Sequence, residues 1–285
     1  MRKTTRRGLL AAAGAGALGL WAAWPGQATG SVEQRFIARG PHSPATVTAE
    51  DGVRVYRPAR LGANGLRHPV LTWGNGSWAT PDYYGRLLEH LAGWGFVVAA
   101  AEETFTGTGE EILAAARHVL ALNDDPRSDL HNRLDPRRVA AAGHSQGAGG
   151  AVNATVNGRG LITALATVAL PDEFWIWVPE HRISPQSVRV PTFLIGGSTD
   201  YVMAPPQTQR RYYDRVAGPA ALGILTGADH DEVADDGGRY RGYLTAWLRY
   251  QLLSDSRAAT AFTGPAELLT NPAWRDQATK RLRAP

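Results

Sequence analysis

The sequence predicts an α/β fold, a mostly parallel sheet covered by helices on both faces, and three observations carry that prediction. Short apolar runs alternate with stretches of helical spacing along the whole chain. One run leads through a tight glycine turn straight into a helix, at Gly143-His144-Ser145-Gln146-Gly147. Chemically capable residues follow three separate strands, as expected where a parallel sheet presents a site at its carboxyl edge.

The elements follow in order. Arg35-Phe36-Ile37 and Val53-Arg54-Val55-Tyr56 read as short antiparallel lead-in strands. His68 to Trp73 is the first buried strand, ended by the turn Gly74-Asn75-Gly76-Ser77. Tyr83 to Trp94 has helical spacing, with Leu87, Leu88 and Leu91 on one face. Gly95 to Ala101 is a second buried strand. Gly109 to Leu122 is a helix with Ile112, Ala116, Val119 and Leu120 inward. Val139 to Ala142 is the strand before the glycine turn, and Gln146 to Ala154 is the helix after it. Strands follow at Ala164–Leu170, Pro191–Gly196 and Ala221–Leu225, then a helix over Arg239–Ser254. Only about twenty residues separate Pro171 from Pro191, which leaves room for a small flap but no large cap. The tail after Pro265 is assigned no element and is expected to be partly disordered.

The 285 residues are enough for one large domain, and no repeat or long linker divides them. Residues 1–28 are set apart from residues 29–285. Thr4-Thr5-Arg6-Arg7-Gly8-Leu9-Leu10 is a twin-arginine export motif, Ala11 to Ala23 is mildly apolar, and Gly26-Gln27-Ala28 offers a small-residue cleavage site. Those 28 residues hold four basic side chains and no acidic one, and removing them leaves 26 basic against 26 acidic residues. The basic balance of the whole chain is therefore no argument for a nucleic-acid partner. The chain has no cysteine, which excludes a lipid anchor on cysteine and any disulfide.

The pentapeptide Gly143–Gly147 reads as a nucleophile elbow. A serine hydroxyl is barely ionised at neutral pH, so Ser145 needs a histidine to take its proton. Of eight histidines, His230 is the candidate, because Gly227-Ala228-Asp229-His230-Asp231 is the turn between the last strand and the last helix. His144 is expected to face away from the serine, either packing in the core or supporting the site from behind. His42, His68, His90, His118, His131 and His181 are expected at the surface or the core edge. Asp200 follows the preceding strand and is the expected orienting acid, with Asp172 as its rival. Asp229 and Asp231 are read as solvated turn residues. An oxyanion needs backbone donors. One is the Gln146 N–H at the start of a helix. The other is expected from Ser77, with Asn75 and Gly76 as alternatives.

Trp78, Tyr83, Tyr84, Phe174, Trp175, Trp177 and Tyr201 fall near strand ends, and Trp78 and Trp175 are the candidates for substrate contact. Neither a phosphate-binding nor a dinucleotide-binding glycine pattern occurs, and no His, Cys or carboxylate cluster has metal spacing, so no cofactor or metal is expected.

Four segments resemble a secreted actinobacterial α/β-hydrolase of the dienelactone-hydrolase-like group, similar to cutinase-type polyester hydrolases, platelet-activating-factor acetylhydrolases and chlorophyllases. They are Trp73–Ser77 with Gly95-Phe96-Val97-Val98, the elbow, Gly196–Pro205, and Gly227–His230. The resemblance implies an α/β-hydrolase fold, a Ser145–His230–Asp200 triad and an oxyanion donor at Ser77. Cutinase-type polyester hydrolases usually carry an aromatic at that donor, a Met after the nucleophile, a Trp-His segment after the next strand and a C-terminal disulfide. Here stand Ser77, Gln146, Phe174-Trp175-Ile176-Trp177 and no cysteine. The expectation is a secreted, monomeric serine hydrolase of lipid-like or bulky esters, with no nucleic-acid partner and no lasting membrane insertion. Acyl transfer or amide cleavage by the same residues, and a non-catalytic binding protein on this fold, are the alternatives.

Overall fold

A computed structural model describes residues 30–48 and 52–285 of the chain. The expected export segment, residues 1–28, lies outside the described residues. Among the described residues, nine strands form one sheet in the order β1-β2-β4-β3-β5-β6-β7-β8-β9. The lead-in strands β1 (Pro44–Thr48) and β2 (Val53–Pro58) pair antiparallel with each other, and β2 pairs antiparallel with β4 (Val97–Ala101). From β4 the sheet is parallel through β3 (His68–Gly74), β5 (Leu134–His144), β6 (Ala164–Val168), β7 (Thr192–Gly197) and β8 (Ala220–Leu225). The last strand, β9 (Trp274–Lys280), runs antiparallel to β8.

The strands read as continuous apolar runs because both faces are covered. Alternate residues divide between two cores. Val98 and Ala100 of β4 face one cluster, which includes Leu87, Leu88, Leu91 and Trp247. Val97 and Ala99 face the other, with Ile112, Ala116 and Val119. The first face is closed by α2 (Gly85–Gly93) and α7 (Arg241–Leu253). The second is closed by α3 (Glu110–Asp124), α4 (Gln146–Asn157) and α5 (Pro206–Arg215).

From β3 the chain passes to β4 on one side and then to β5 on the other. The crevice between the carboxyl ends of β3 and β5 is therefore the topological switch point, where open α/β sheets hold their ligands.

Two expectations fail. Arg35-Phe36-Ile37 is no strand but the end of α1 (Val32–Ile37). Ser31 Oγ caps the helix by accepting from the Gln34 N–H, and Val32 and Phe36 bury the same face. Glu267, 234 residues on from Glu33, accepts the N–H groups of Val32 and Glu33. The tail is not disordered. Beyond a short turn at Glu267–Thr270 it forms β9, where Trp274 is buried and its indole N–H donates to Glu33. Helix α5 was not expected, since its buried side chains include Thr208 and Gln209 and give little apolar period.

Candidate active site

The site is built around the exit of β5. Ser145 has φ 53° and ψ −124°, a left-handed conformation that costs a non-glycine residue free energy. The turn is so tight that a Cβ on Gly143 would lie 2.3 Å from the Gly147 carbonyl oxygen, and one on Gly147 would lie 2.2 Å from that of Gly74. Only glycine fits at both positions. The Ser145 N–H is held by the Val168 carbonyl at 3.0 Å. Backbone contacts thus fix where the hydroxyl projects.

Three of the expected side chains meet there. His230 Nε2 lies 2.9 Å from Ser145 Oγ, and His230 Nδ1 lies 2.6 Å from Asp200 Oδ2. Asp200 is buried, and its second oxygen accepts the N–H groups of Met203 and Ala204. Burial alone would raise its pKa, but hydrogen bonds from His230 and those two amides outweigh it and hold the carboxyl below its usual range. A carboxylate on one ring nitrogen assigns the proton to Nδ1 and leaves Nε2 as the acceptor for a hydroxyl proton. The rival acid, Asp172, is engaged elsewhere, accepting from the Phe174 N–H, Thr208 Oγ1 and Arg211. Asp229 and Asp231 are exposed turn residues.

The turn after β3 passes over Ser145. A Cβ on Gly76 would lie 3.4 Å from Ser145 Cβ. Asn75 pins this turn, donating to the carbonyls of Ala101 and Glu103 and accepting at its own carbonyl from Thr106 Oγ1. The Gly76 N–H donates to Tyr84 Oη at 3.0 Å, and the Trp78 N–H donates to Thr104 at 3.0 Å. The intervening Ser77 N–H bonds to no described residue. Gln146 begins α4, so its N–H has no acceptor in a preceding helical turn. Its side-chain carbonyl accepts the Thr106 N–H at 3.1 Å.

The aromatics named from the sequence differ in exposure. Trp78, Phe174, Trp177 and Tyr201 are 79%, 72%, 76% and 69% exposed. Trp175 is half-buried and donates its indole N–H to Val202. Phe105, which sequence reasoning missed, packs edge-on to Trp78 at 4.5 Å. Tyr84 is fully buried and lines no cleft. Its hydroxyl lies 3.0 Å from His144 Nδ1, and His144 Nε2 lies 2.9 Å from the His230 carbonyl oxygen. His144 makes no hydrogen bond to the serine hydroxyl and, as one of its two expected roles, supports the site from behind through these bonds. Nothing in the local sequence signals these two bonds, because their partners come from 60 and 86 residues away.

His68 departs from the expected surface or core-edge placement. It is fully buried, donating from Nδ1 to Gly95 at 2.8 Å and accepting the Gly62 N–H. Burial lowers its pKa. Among the described residues, no three His, Cys, Asp or Glu side chains are grouped to hold a metal ion.

Comparison with known proteins places the chain in a family. The PET hydrolase-like family matches residues 38–278. Cutinase est2 of Thermobifida alba is 28% identical over 243 aligned positions, covering 77% of each chain. Cutinase 2 of Thermobifida cellulosilytica is 28% identical, covering 77% of this chain and 88% of its own. Cutinase cut1 of Thermobifida fusca is also 28% identical, with 77% and 72% covered. With the family match spanning most of the chain, the protein belongs to the PET hydrolase-like family of α/β-hydrolases and is a serine carboxylester hydrolase.

Proposed function

We propose that Ser145 is the nucleophile of an acyl-enzyme mechanism. Its Oγ attacks the ester carbonyl while His230 Nε2 takes the hydroxyl proton. Asp200 holds the imidazole in the required tautomer and stabilises the imidazolium that forms. The oxyanion is received by the N–H groups of Gln146 and Ser77, each worth about 10²–10³ in rate. His230 then returns its proton to the leaving alcohol. Next it activates a water that attacks the acyl carbonyl, and collapse of the second tetrahedral intermediate frees the acid and Ser145. The observation that carries this reading is the unbroken hydrogen-bonded series from Ser145 Oγ through His230 to Asp200.

The substrate proposed is a lipid-like or bulky, polymeric ester, with Trp78 and Trp175 contacting its acyl or polymer chain. The exposed aromatic rim and the short flap between β6 and β7 support an open cleft that admits such a chain. The names of the family and of its cutinase relatives point the same way. We further propose that residues 1–28 direct export by the twin-arginine route and that residues 29–285 act as one monomeric domain, with no nucleic-acid partner. Among the described residues, no helix is long and apolar enough to cross a membrane.

The test is hydrolysis of a p-nitrophenyl ester series, from acetate to long acyl chains, by wild type and Ser145→Ala. Activity on several esters that disappears in Ser145→Ala is the expected result. Activity that survives in Ser145→Ala would place the nucleophile elsewhere.

A further inference from the structure

Three hydrogen bonds beside the proposed triad form a series whose proton order is fully determined. Gly76 N lies 3.0 Å from Tyr84 Oη, Tyr84 Oη lies 3.0 Å from His144 Nδ1, and His144 Nε2 lies 2.9 Å from the His230 carbonyl oxygen. The two ends set the direction, because an amide N–H only donates and a carbonyl only accepts. His144 must therefore carry its proton on Nε2 and give it to His230. Its Nδ1 is left with a lone pair and accepts the single Tyr84 hydroxyl proton. The Tyr84 oxygen is then free to accept from Gly76. A doubly protonated His144 would turn Nδ1 into a donor and oppose the Tyr84 hydroxyl. Burial, reinforced by the nearby His230, pushes the His144 pKa down to about 3 and keeps the ring neutral.

The series adds a direct link between parts of the site that β-pairing and the Asp200 contact join only indirectly. Tyr84 lies at the start of α2, Gly76 is in the turn over the nucleophile, His144 ends β5, and His230 sits on the loop after β8. That loop is exposed on both sides of His230, at Asp229 and Asp231. His230 is thus tethered at three points: Asp200 at Nδ1, Ser145 at Nε2, and His144 at its backbone carbonyl. The ring centroids of His144 and His230 are 4.8 Å apart, so the backbone of the loop cannot drift toward β5 without collision.

We propose that Tyr84 and His144 are positioning residues for hydrolysis, holding the β3 turn and the His230 loop in register across Ser145. By occupying the Gly76 N–H, Tyr84 also leaves Ser77 as the donor that this turn presents to substrate. The proposal rests on Ser145 and His230 acting as nucleophile and base.

Buried polar groups are generally hydrogen-bonded, so a purely structural role would show in stability alone. The test therefore separates turnover from folding. Tyr84→Phe, His144→Phe, His144→Gln and the Tyr84→Phe/His144→Phe double variant are assayed on p-nitrophenyl butyrate, well below their melting temperatures. Active sites are counted by titration with a fluorophosphonate, so that kcat refers only to folded enzyme. Tyr84→Phe and His144→Phe are expected to lower kcat about tenfold, within the hundredfold that a 1 Å misplacement costs, with KM nearly unchanged. His144→Gln, whose amide offers both a donor and an acceptor, should recover most of the loss. The double variant should be no slower than His144→Phe alone, because both break one series. In the wild-type protein, ¹⁵N spectra of labelled histidine should show His144 as the neutral Nε2–H tautomer, a measurement that depends on no variant.

Full kcat per titrated site in His144→Phe and Tyr84→Phe would overturn the proposal, as would an Nδ1–H tautomer for His144. Ser145→Ala, run alongside, separates the two levels. If it abolishes turnover while the His144 variants keep it, only the positioning role fails. If it retains turnover, the nucleophile assignment fails and the positioning role with it.

Discussion

The nucleophile elbow and the aromatic rim stand at the carboxyl edge of the same sheet, and they are built in opposite ways. At the elbow, backbone meets backbone. Gly74, Gly143 and Gly147 approach one another so closely that a single methyl on any of them would meet a carbonyl oxygen within 2.6 Å. At the rim, Trp78 and Trp177 hold more than three quarters of their surfaces in solvent, at 79% and 76%. Geometry is rigid at the proposed nucleophile and permissive at the rim proposed to receive the substrate chain. Substitutions at the two places should accordingly fail in different currencies, turnover and folding at the elbow, binding at the rim.

The largest effect is expected at the acid behind the elbow. Asp200→Asn keeps the shape of the side chain but no longer enforces the Nδ1–H tautomer of His230. It should lower kcat by about 10⁴-fold with little change in melting temperature. Steady-state kinetics beside a thermal melt check this, and a loss under tenfold would remove Asp200 from the role. Next comes Gly147→Ala. Its Cβ would lie 2.2 Å from the Gly74 oxygen, against rigid backbone, and should cost about 3 kcal/mol or more of stability, read from urea unfolding. A well-tolerated alanine there would contradict the rigid elbow.

An acid-side loss of stability should follow from the buried histidines. His144 and His90 are pushed down to about 3 and about 4, chiefly by burial. Both are neutral in the fold and take up a proton near pH 6.5 on unfolding. Below that pH the unfolded chain binds more protons, so stability is full above pH 6.5 and falls as pH drops toward the folded-state values. Each histidine contributes up to about 1.4 kcal/mol per pH unit in that window. Urea midpoints at pH 7 and pH 5 measure the slope, and His144→Gln should flatten it. An equal slope in that variant would show that His144 does not titrate on unfolding.

The smallest effect on the fold belongs to the rim. Trp78→Ala and Trp177→Ala should change stability by no more than about 0.5 kcal/mol. Both should raise KM for long-chain esters several-fold and leave short-chain acetate hydrolysis nearly unchanged. Equal losses on both substrates would mean that the rim shapes the catalytic centre rather than the bound chain.

The same contrast explains what was legible in the sequence. The parallel strands could be read because both faces are buried and each strand is a continuous apolar run. The Ser145, His230 and Asp200 positions could be read because each follows such a strand. Elements held by distant polar partners could not. Helix α1 spans six residues and depends on a Glu267 carboxylate from the far end of the chain. Strand β9 has the polar sequence Trp-Arg-Asp-Gln-Ala-Thr-Lys, whose edge position leaves it no apolar alternation. The Tyr84–His144–His230 series joins three chain segments, and no local pattern announces it.

The central claim is that Ser145 is activated by His230 to carry the acyl group. The most direct measurement is reaction of the folded protein with a fluorophosphonate, followed by intact mass and peptide mapping, for wild type and His230→Ala. One adduct on Ser145 in the wild type, formed far more slowly in His230→Ala, is the result predicted. An adduct on another residue, or labelling of Ser145 at the same rate without His230, would contradict the account.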